Sequence, residues 1–235
     1  MRTAGIIGGI GPESTIDYYR RLISVYKERD PEGNYPQLLI NSVNLNVVVA
    51  CVEENRIDDL AGYLLGELQK LADAGADFAV LSSNTTHLAF DQLQRTSPLP
   101  MISIIEVTCQ KAISLGFTRL GLFGTRFIMQ GEFYHEVWSR NGIELVVPTE
   151  AEQDYIHEKY MDELVDGIIR DETRQQLISI AQRLKEAENI QGLILGGTEL
   201  PLILRQADLP GIPVLDTSGI HVEAIVDALF EGELR

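Results

Sequence analysis

Asp77-Phe78-Ala79-Val80-Leu81-Ser82-Ser83 returns later in the chain as Gln191-Gly192-Leu193-Ile194-Leu195-Gly196-Gly197. Both stretches are short, apolar at successive positions, and end in small or hydroxyl residues. A strand without polar alternation is covered on both faces, which is the condition of a parallel sheet between helical layers. The repetition extends in both directions. Gly5-Ile6-Ile7-Gly8 returns as Gly121-Leu122-Phe123-Gly124, and Pro100-Met101-Ile102-Ser103 as Pro213-Val214-Leu215-Asp216. Three anchors in the same order, at a nearly constant offset of about 115 residues, describe a duplicated unit of ordinary domain size. The expected fold is α/β: two pseudo-symmetric α/β domains with mainly parallel sheets in three layers. They are expected to face each other across a cleft, with Ser83 and Gly197 at matching points.

The remaining strands are expected at Ala4–Ile7, Gln37–Ile40, Met101–Ile104, Arg119–Phe123, Glu144–Val147 and Pro213–Leu215. Helical spacing of apolar residues marks Ser14–Arg29, Asp58–Ala74, Ile128–Asn141, Glu150–Gly167 and Thr173–Ala187, with Gly75 and Gly142 as stops. In open parallel sheets ligands bind beyond the carboxyl ends of the strands, where helix N-termini and backbone N–H groups point outward. That rule directs attention to Ser83-Asn84-Thr85 and Gly197-Thr198-Glu199.

The 235 residues are 45% hydrophobic, sufficient for a sizeable core, and carry a net charge of −16. Such a charge repels phosphate backbones and anionic headgroups, so neither nucleic acid nor membrane is expected as a partner. No long apolar run or leader pattern is present, and a cytoplasmic location is expected. The two cysteines, Cys51 and Cys109, are not in C-x-x-C spacing and read as buried packing residues. No His, Cys and Asp set has metal-ligand spacing, and no metal is expected.

Gly9-Ile10-Gly11-Pro12-Glu13-Ser14 closes the first strand where a dinucleotide fingerprint would sit. It lacks the third glycine, Pro12 removes an N–H, and the second strand runs to Asn41 instead of an acid. The remaining readings are a turn whose glycines, Gly9 and Gly11, let substrate approach the backbone, and a purely structural turn. Ser83-Asn84-Thr85-Thr86-His87 reads as a polar site or as a helix cap. A serine hydrolase pairing of Ser83 with His87 lacks the nucleophile elbow and an orienting acid. Glu199 is either a carboxylate favoured by a helix dipole or a proton acceptor. His221 either reaches the same site or is solvated at a helix end.

At these residues the chain resembles the aspartate/glutamate racemase family of cofactor-independent amino-acid racemases. The resemblance is carried by Gly8-Gly9-Ile10-Gly11-Pro12-Glu13-Ser14-Thr15, Asn84-Thr85-x-His87, Gly124-Thr125-Arg126-Phe127, Gly196-x-Thr198-Glu199-Leu200-Pro201-Leu202, and Pro213-Val214-Leu215-Asp216-Thr217 with His221. It spans essentially the whole chain. It implies domains at 1–98 with 211–235 and at 99–210, a homodimer, a small amino acid or carboxylate as partner, and no cofactor.

In this family the residues before Asn-Thr and before Thr-Glu are cysteines that remove and return the α-proton. A thiol pKa of about 8.5 suits it to both roles. Here those positions hold Ser83 and Gly197. The resemblance therefore implies catalytic positions at Ser83 and Gly197, with Glu199 and His87 as side chains able to handle a proton. It also implies a substrate-binding set of Gly9, Gly11, Asn84, Thr85, Thr86, Thr125 and Thr198. Two functions follow: α-carbanion chemistry next to a carboxylate without the two thiols, or binding of a small carboxylate without turnover. Arg56, Arg126 and Lys159 are candidates for a second substrate carboxylate.

Overall fold

The computed structural model describes residues 2–230. The chain forms two compact units. Unit 1 takes the chain up to Ile104 and again from Ser218, and unit 2 is Ile105–Thr217.

Unit 1 is built on β1 (Thr3–Gly8), β2 (Gln37–Ser42), β3 (Phe78–Leu81) and β4 (Met101–Ile102), all parallel in the order β2-β1-β3-β4. Its helices are α1 (Pro12–Arg29), α2 (Leu45–Glu53), α3 (Ile57–Asp73) and α4 (Phe90–Thr96). Unit 2 follows α5 (Ile104–Ser114) with β5 (Arg119–Phe123), α6 (Arg126–Met129), α7 (Glu132–Arg140), β6 (Glu144–Val146), α8 (Glu150–Lys159), α9 (Asp171–Glu188), β7 (Leu193–Leu195), α10 (Leu200–Ile203) and β8 (Val214–Asp216). Its sheet is again parallel, in the order β6-β5-β7-β8. Helix α11 (Thr217–Phe230) returns the chain to unit 1.

The duplication holds at the level of register. Gly5 lies opposite Ala79 and Ala79 opposite Met101. The matching residues of the second unit pair alike, Gly121 with Leu193 and Leu193 with Val214. The two central strands of each sheet are buried almost throughout, as their uninterrupted apolar runs require, whereas the edge strand β2 has only exposed and half-buried positions.

The helices bury the faces their spacing marks. Ser14, Tyr18, Leu22 and Tyr26 recur every fourth residue of α1, and Leu60, Ala61, Leu64, Leu68 and Leu71 make one stripe of α3. The chain leaves α3 through Gly75 at φ 93°, a left-handed conformation that favours glycine.

Two expected helices are interrupted. The run over Ile128–Asn141 is two helices broken at Gly131, where a Cβ would meet the Phe127 carbonyl and the Phe133 ring. The run over Glu150–Gly167 is α-helical to Lys159 and then makes a π turn over Tyr160–Leu164, closed by the Val165 N–H donating to the Tyr160 carbonyl at 3.0 Å. The expected strand over Met101–Ile104 stops at Ile102, because Ile104 already opens α5.

Candidate active site

In unit 1, β3 ends against β1, with the Ser82 hydroxyl donating to the Ile7 carbonyl at 3.0 Å. The next residues turn back on themselves. The Ser83 carbonyl accepts the Thr86 hydroxyl at 3.1 Å and His87 Nδ1 at 2.9 Å, and Thr85–Ala89 forms a single 3₁₀ turn. Ser83, Asn84, Thr86 and His87 are buried and Thr85 is half-buried.

The tautomer of His87 follows from its partner. A carbonyl only accepts, so Nδ1 carries the proton and Nε2 is the bare nitrogen. Among the described residues the buried Nε2 has no hydrogen-bond partner, and the ring stacks on Phe90 with centroids 4.6 Å apart. His87 reaches the carbonyl of Ser83, not its hydroxyl, which removes the geometric basis for a Ser83–His87 nucleophile pair.

His221 on α11 is fully buried, not solvated. Its Nε2 donates to the Ile102 carbonyl at 3.1 Å, so its Nδ1 accepts the Tyr18 hydroxyl at 3.0 Å. Burial pushes both imidazoles down, His87 to about 4 and His221 to about 3, the latter helped by the nearby His87. Both are neutral at pH 7.

The glycine turn after β1 is packed from two sides. Gly9 has φ 82°, and its N–H is taken by the Thr15 hydroxyl at 2.8 Å. Ser14 and Thr15 also donate to the Gly11 carbonyl, at 2.9 and 3.1 Å. A Cβ on Gly9 would meet the Val43 carbonyl oxygen at 2.6 Å. Gly9→Ala is therefore expected to destabilise the protein by about 2–4 kcal/mol, combining left-handed strain with overlap. Gly75→Ala, where a Cβ meets nothing, is expected to lose only about 1 kcal/mol. Urea midpoints of the two variants measure the difference.

In unit 2, β7 ends at Gly196-Gly197-Thr198-Glu199, all buried, with Glu199 at 0% exposure. The Gly196 N–H donates to the Phe123 carbonyl at 2.7 Å, tying the turn to β5. Thr125, also buried, begins α6, and its carbonyl accepts the N–H groups of Ile128 and Met129. Two hydroxyls are donated to Glu199 Oε2: that of Thr198 at 2.9 Å, and that of Tyr160. Tyr160 was not among the residues the sequence pointed to. It arrives from the π turn, and its buried phenol is pushed well up by burial and by the Glu199 carboxylate, so it stays protonated and acts as a donor.

The candidates for a second carboxylate each have an acidic neighbour. Arg56 pairs with Glu54 and Asp59, Arg126 with Asp154 and Lys159 with Glu163. Cys51 and Cys109 are buried in α2 and α5, outside both loops, and burial together with Glu106 pushes the Cys109 thiol up. Among the described residues no group of three or more His, Cys, Asp or Glu is arranged to hold a metal ion, and no helix is long and apolar enough to cross a membrane.

The family model for Asp/Glu/Hydantoin racemase matches residues 7–225. The broad specificity amino-acid racemase RacX of Bacillus subtilis (strain 168) is 25% identical over 231 residues, covering 94% of this chain and 96% of its own. The crystal structure of an aspartate racemase homologue from Pyrococcus horikoshii OT3 is 33% identical, with a TM-score of 0.83 over 98% of this chain and 100% of that one. Glutamate racemase from Francisella tularensis, solved with D-glutamate, is 16% identical and shares the fold, with a TM-score of 0.70 over 99% of this chain and 82% of its own.

Proposed function

The chain belongs to the Asp/Glu/hydantoin racemase family, and on that premise we propose that it exchanges the α-proton of a small amino acid or related carboxylate, without pyridoxal phosphate or a metal. The observation that carries the reading is Glu199, a wholly buried carboxylate at the carboxyl end of a parallel strand, with two hydroxyls donated to it.

In this reading the residues that bind the substrate carboxylate are Asn84, Thr85 and Thr198, and Gly9, Gly11, Thr86 and Thr125 are further substrate-binding candidates. The α C–H bond breaks, the proton passes to a base, and the electron pair spreads into the adjacent carboxylate. Return of a proton to either face of the planar intermediate gives either enantiomer. Ser83 and Gly197 occupy the two positions where the family's thiols act, and neither side chain is a base of useful strength at pH 7. Glu199 takes that role. His87 is the second group able to accept a proton, through Nε2. A homodimer in the cytoplasm completes the proposal.

The test is incubation with single amino acids in heavy water, followed by NMR. Loss of the α-proton signal in at least one of them is the expected result, and no exchange across the twenty common amino acids and their enantiomers sinks the reading. A second reading, a binder of small carboxylates without turnover, is favoured by the missing thiols at positions 83 and 197. It predicts thermal stabilisation by a dicarboxylate or amino acid that shows no exchange.

A further inference from the structure

Gly197 has no room for a side chain. A Cβ built on it would stand 3.0 Å from Tyr160 Cζ and from the Tyr160 hydroxyl oxygen, and closer still to Cε2. The ring of Tyr160 fills the space that any larger residue at 197 needs. The same side chain ends in a hydroxyl that donates to Glu199, two residues further on.

We infer that Tyr160 stands in, within unit 2, for the side chain that Gly197 lacks: its ring takes the volume, and its hydroxyl positions the Glu199 carboxylate for proton transfer. The inference rests on the proposed role of Glu199 in α-proton chemistry and adds Tyr160 to it as a positioning residue.

Two further features belong to the arrangement. Tyr160 lies at the first residue of the π turn, where the backbone departs from the regular helix that precedes it. That turn is fastened by Glu163, whose carboxylate accepts from Lys159 at 2.7 Å and Thr173 at 2.6 Å, and pairs with Arg170 at 3.4 Å. Burial alone would push the Glu163 carboxyl up, but these donors outweigh it and hold it below its ordinary value, so the fastening is charged at pH 7. A phenylalanine at 160 would fill the same space with no polar group to satisfy. The phenol contributes a proton donor to a buried anion, and such charge-assisted hydrogen bonds are among the stronger ones a fold contains.

Volume and hydrogen bond are separable by experiment. Tyr160→Phe keeps the ring and removes the donor. The carboxylate then loses a stabilising bond, and the Glu199 side-chain carboxyl resonance, read by 13C NMR of glutamate-labelled protein at pH 7 and assigned by its absence in Glu199→Gln, is expected to leave its wild-type position. If the protein exchanges α-protons, Tyr160→Phe is expected to lower kcat about tenfold with KM little changed, the loss of one hydrogen bond to the base. An unchanged Glu199 carboxyl resonance in Tyr160→Phe overturns the positioning role. Gly197→Ala is expected to lower Tm in the wild-type and Tyr160→Phe backgrounds, and to be tolerated in Tyr160→Leu, where the ring is gone. Equal Tm losses in all three backgrounds overturn the exchange of volume. If no amino acid exchanges its α-proton, the proposed reaction fails, while the carboxyl resonance and the three backgrounds still decide whether Tyr160 governs Glu199.

Discussion

Replacing Glu199 by Gln is expected to slow α-proton exchange by a factor of roughly 10²–10⁴, the usual loss when a positioned general base is removed. The substitution is nearly isosteric. The amide oxygen still accepts from Thr198 and Tyr160, so the buried hydroxyls keep a partner and the fold is expected to survive. What disappears is basicity alone. Initial rates of deuterium incorporation and circular dichroism on the same sample separate the two effects. His87→Gln supplies the comparison, because among the described residues His87 Nε2 is a buried basic atom with no hydrogen-bond partner. A Glu199→Gln variant that exchanges at the wild-type rate, beside a His87→Gln variant that does not exchange, transfers the role of base to His87.

Stability is expected to fall steeply as pH drops below about 6.5, well before most carboxylates titrate. The cause is the pair of buried imidazoles. In the unfolded chain each binds a proton near pH 6.5, while in the folded protein His87 waits until about pH 4 and His221 until about pH 3. Between these limits the unfolded state holds more protons, so acid favours unfolding. Their stabilising effect is complete above pH 6.5 and is lost as pH falls. Each group contributes a slope of about 1 kcal/mol per pH unit through that interval. Neither can be protonated in place at little cost, because each ring already donates one N–H to a carbonyl and is enclosed by protein. Glu67, Glu152 and Glu163 are held below their ordinary values by their donors, so their share is lost only below about pH 4.5. Urea midpoints at pH 7.5, 6.0 and 5.0 isolate the histidines. A midpoint that does not move between pH 7.5 and 5.0 refutes this account, and a His87→Gln, His221→Gln double variant is expected to flatten the slope.

The strands and the duplication were legible in the sequence for one reason. A buried parallel strand must be apolar at every position, and the duplication repeats that signal twice, so even the register of Gly5 with Ala79 recurs in Gly121 with Leu193. Helices with one polar face were legible too. Helix α2 carries buried Val48, Cys51 and Val52 in a short, mostly apolar stretch, and α11 is buried along much of its length, so neither presents the contrast between faces that marks α1. The polar loops at the ends of β3 and β7 stood out because polar residues follow apolar runs abruptly. Tyr160 gave no such signal. Its importance comes from contact with Gly197 and Glu199, nearly forty residues away, through a π turn that helical periodicity across Glu150–Gly167 conceals. His221 was visible as a residue but not as a buried one, since its enclosure depends on Tyr18 and Ile102, both far from it in sequence.

Unit 1 is assembled from both sides of unit 2 in the chain, and α11 supplies the ring that Tyr18 holds. During synthesis the ribosome therefore delivers unit 2 as one continuous stretch, while the earlier strands β1 to β4 wait for residues 218–230 before their core can close. Nascent chains halted with residue 217 just outside the exit tunnel are expected to protect unit 2 from protease and leave unit 1 open to cleavage. The last helix is what the first half of the molecule spends translation without.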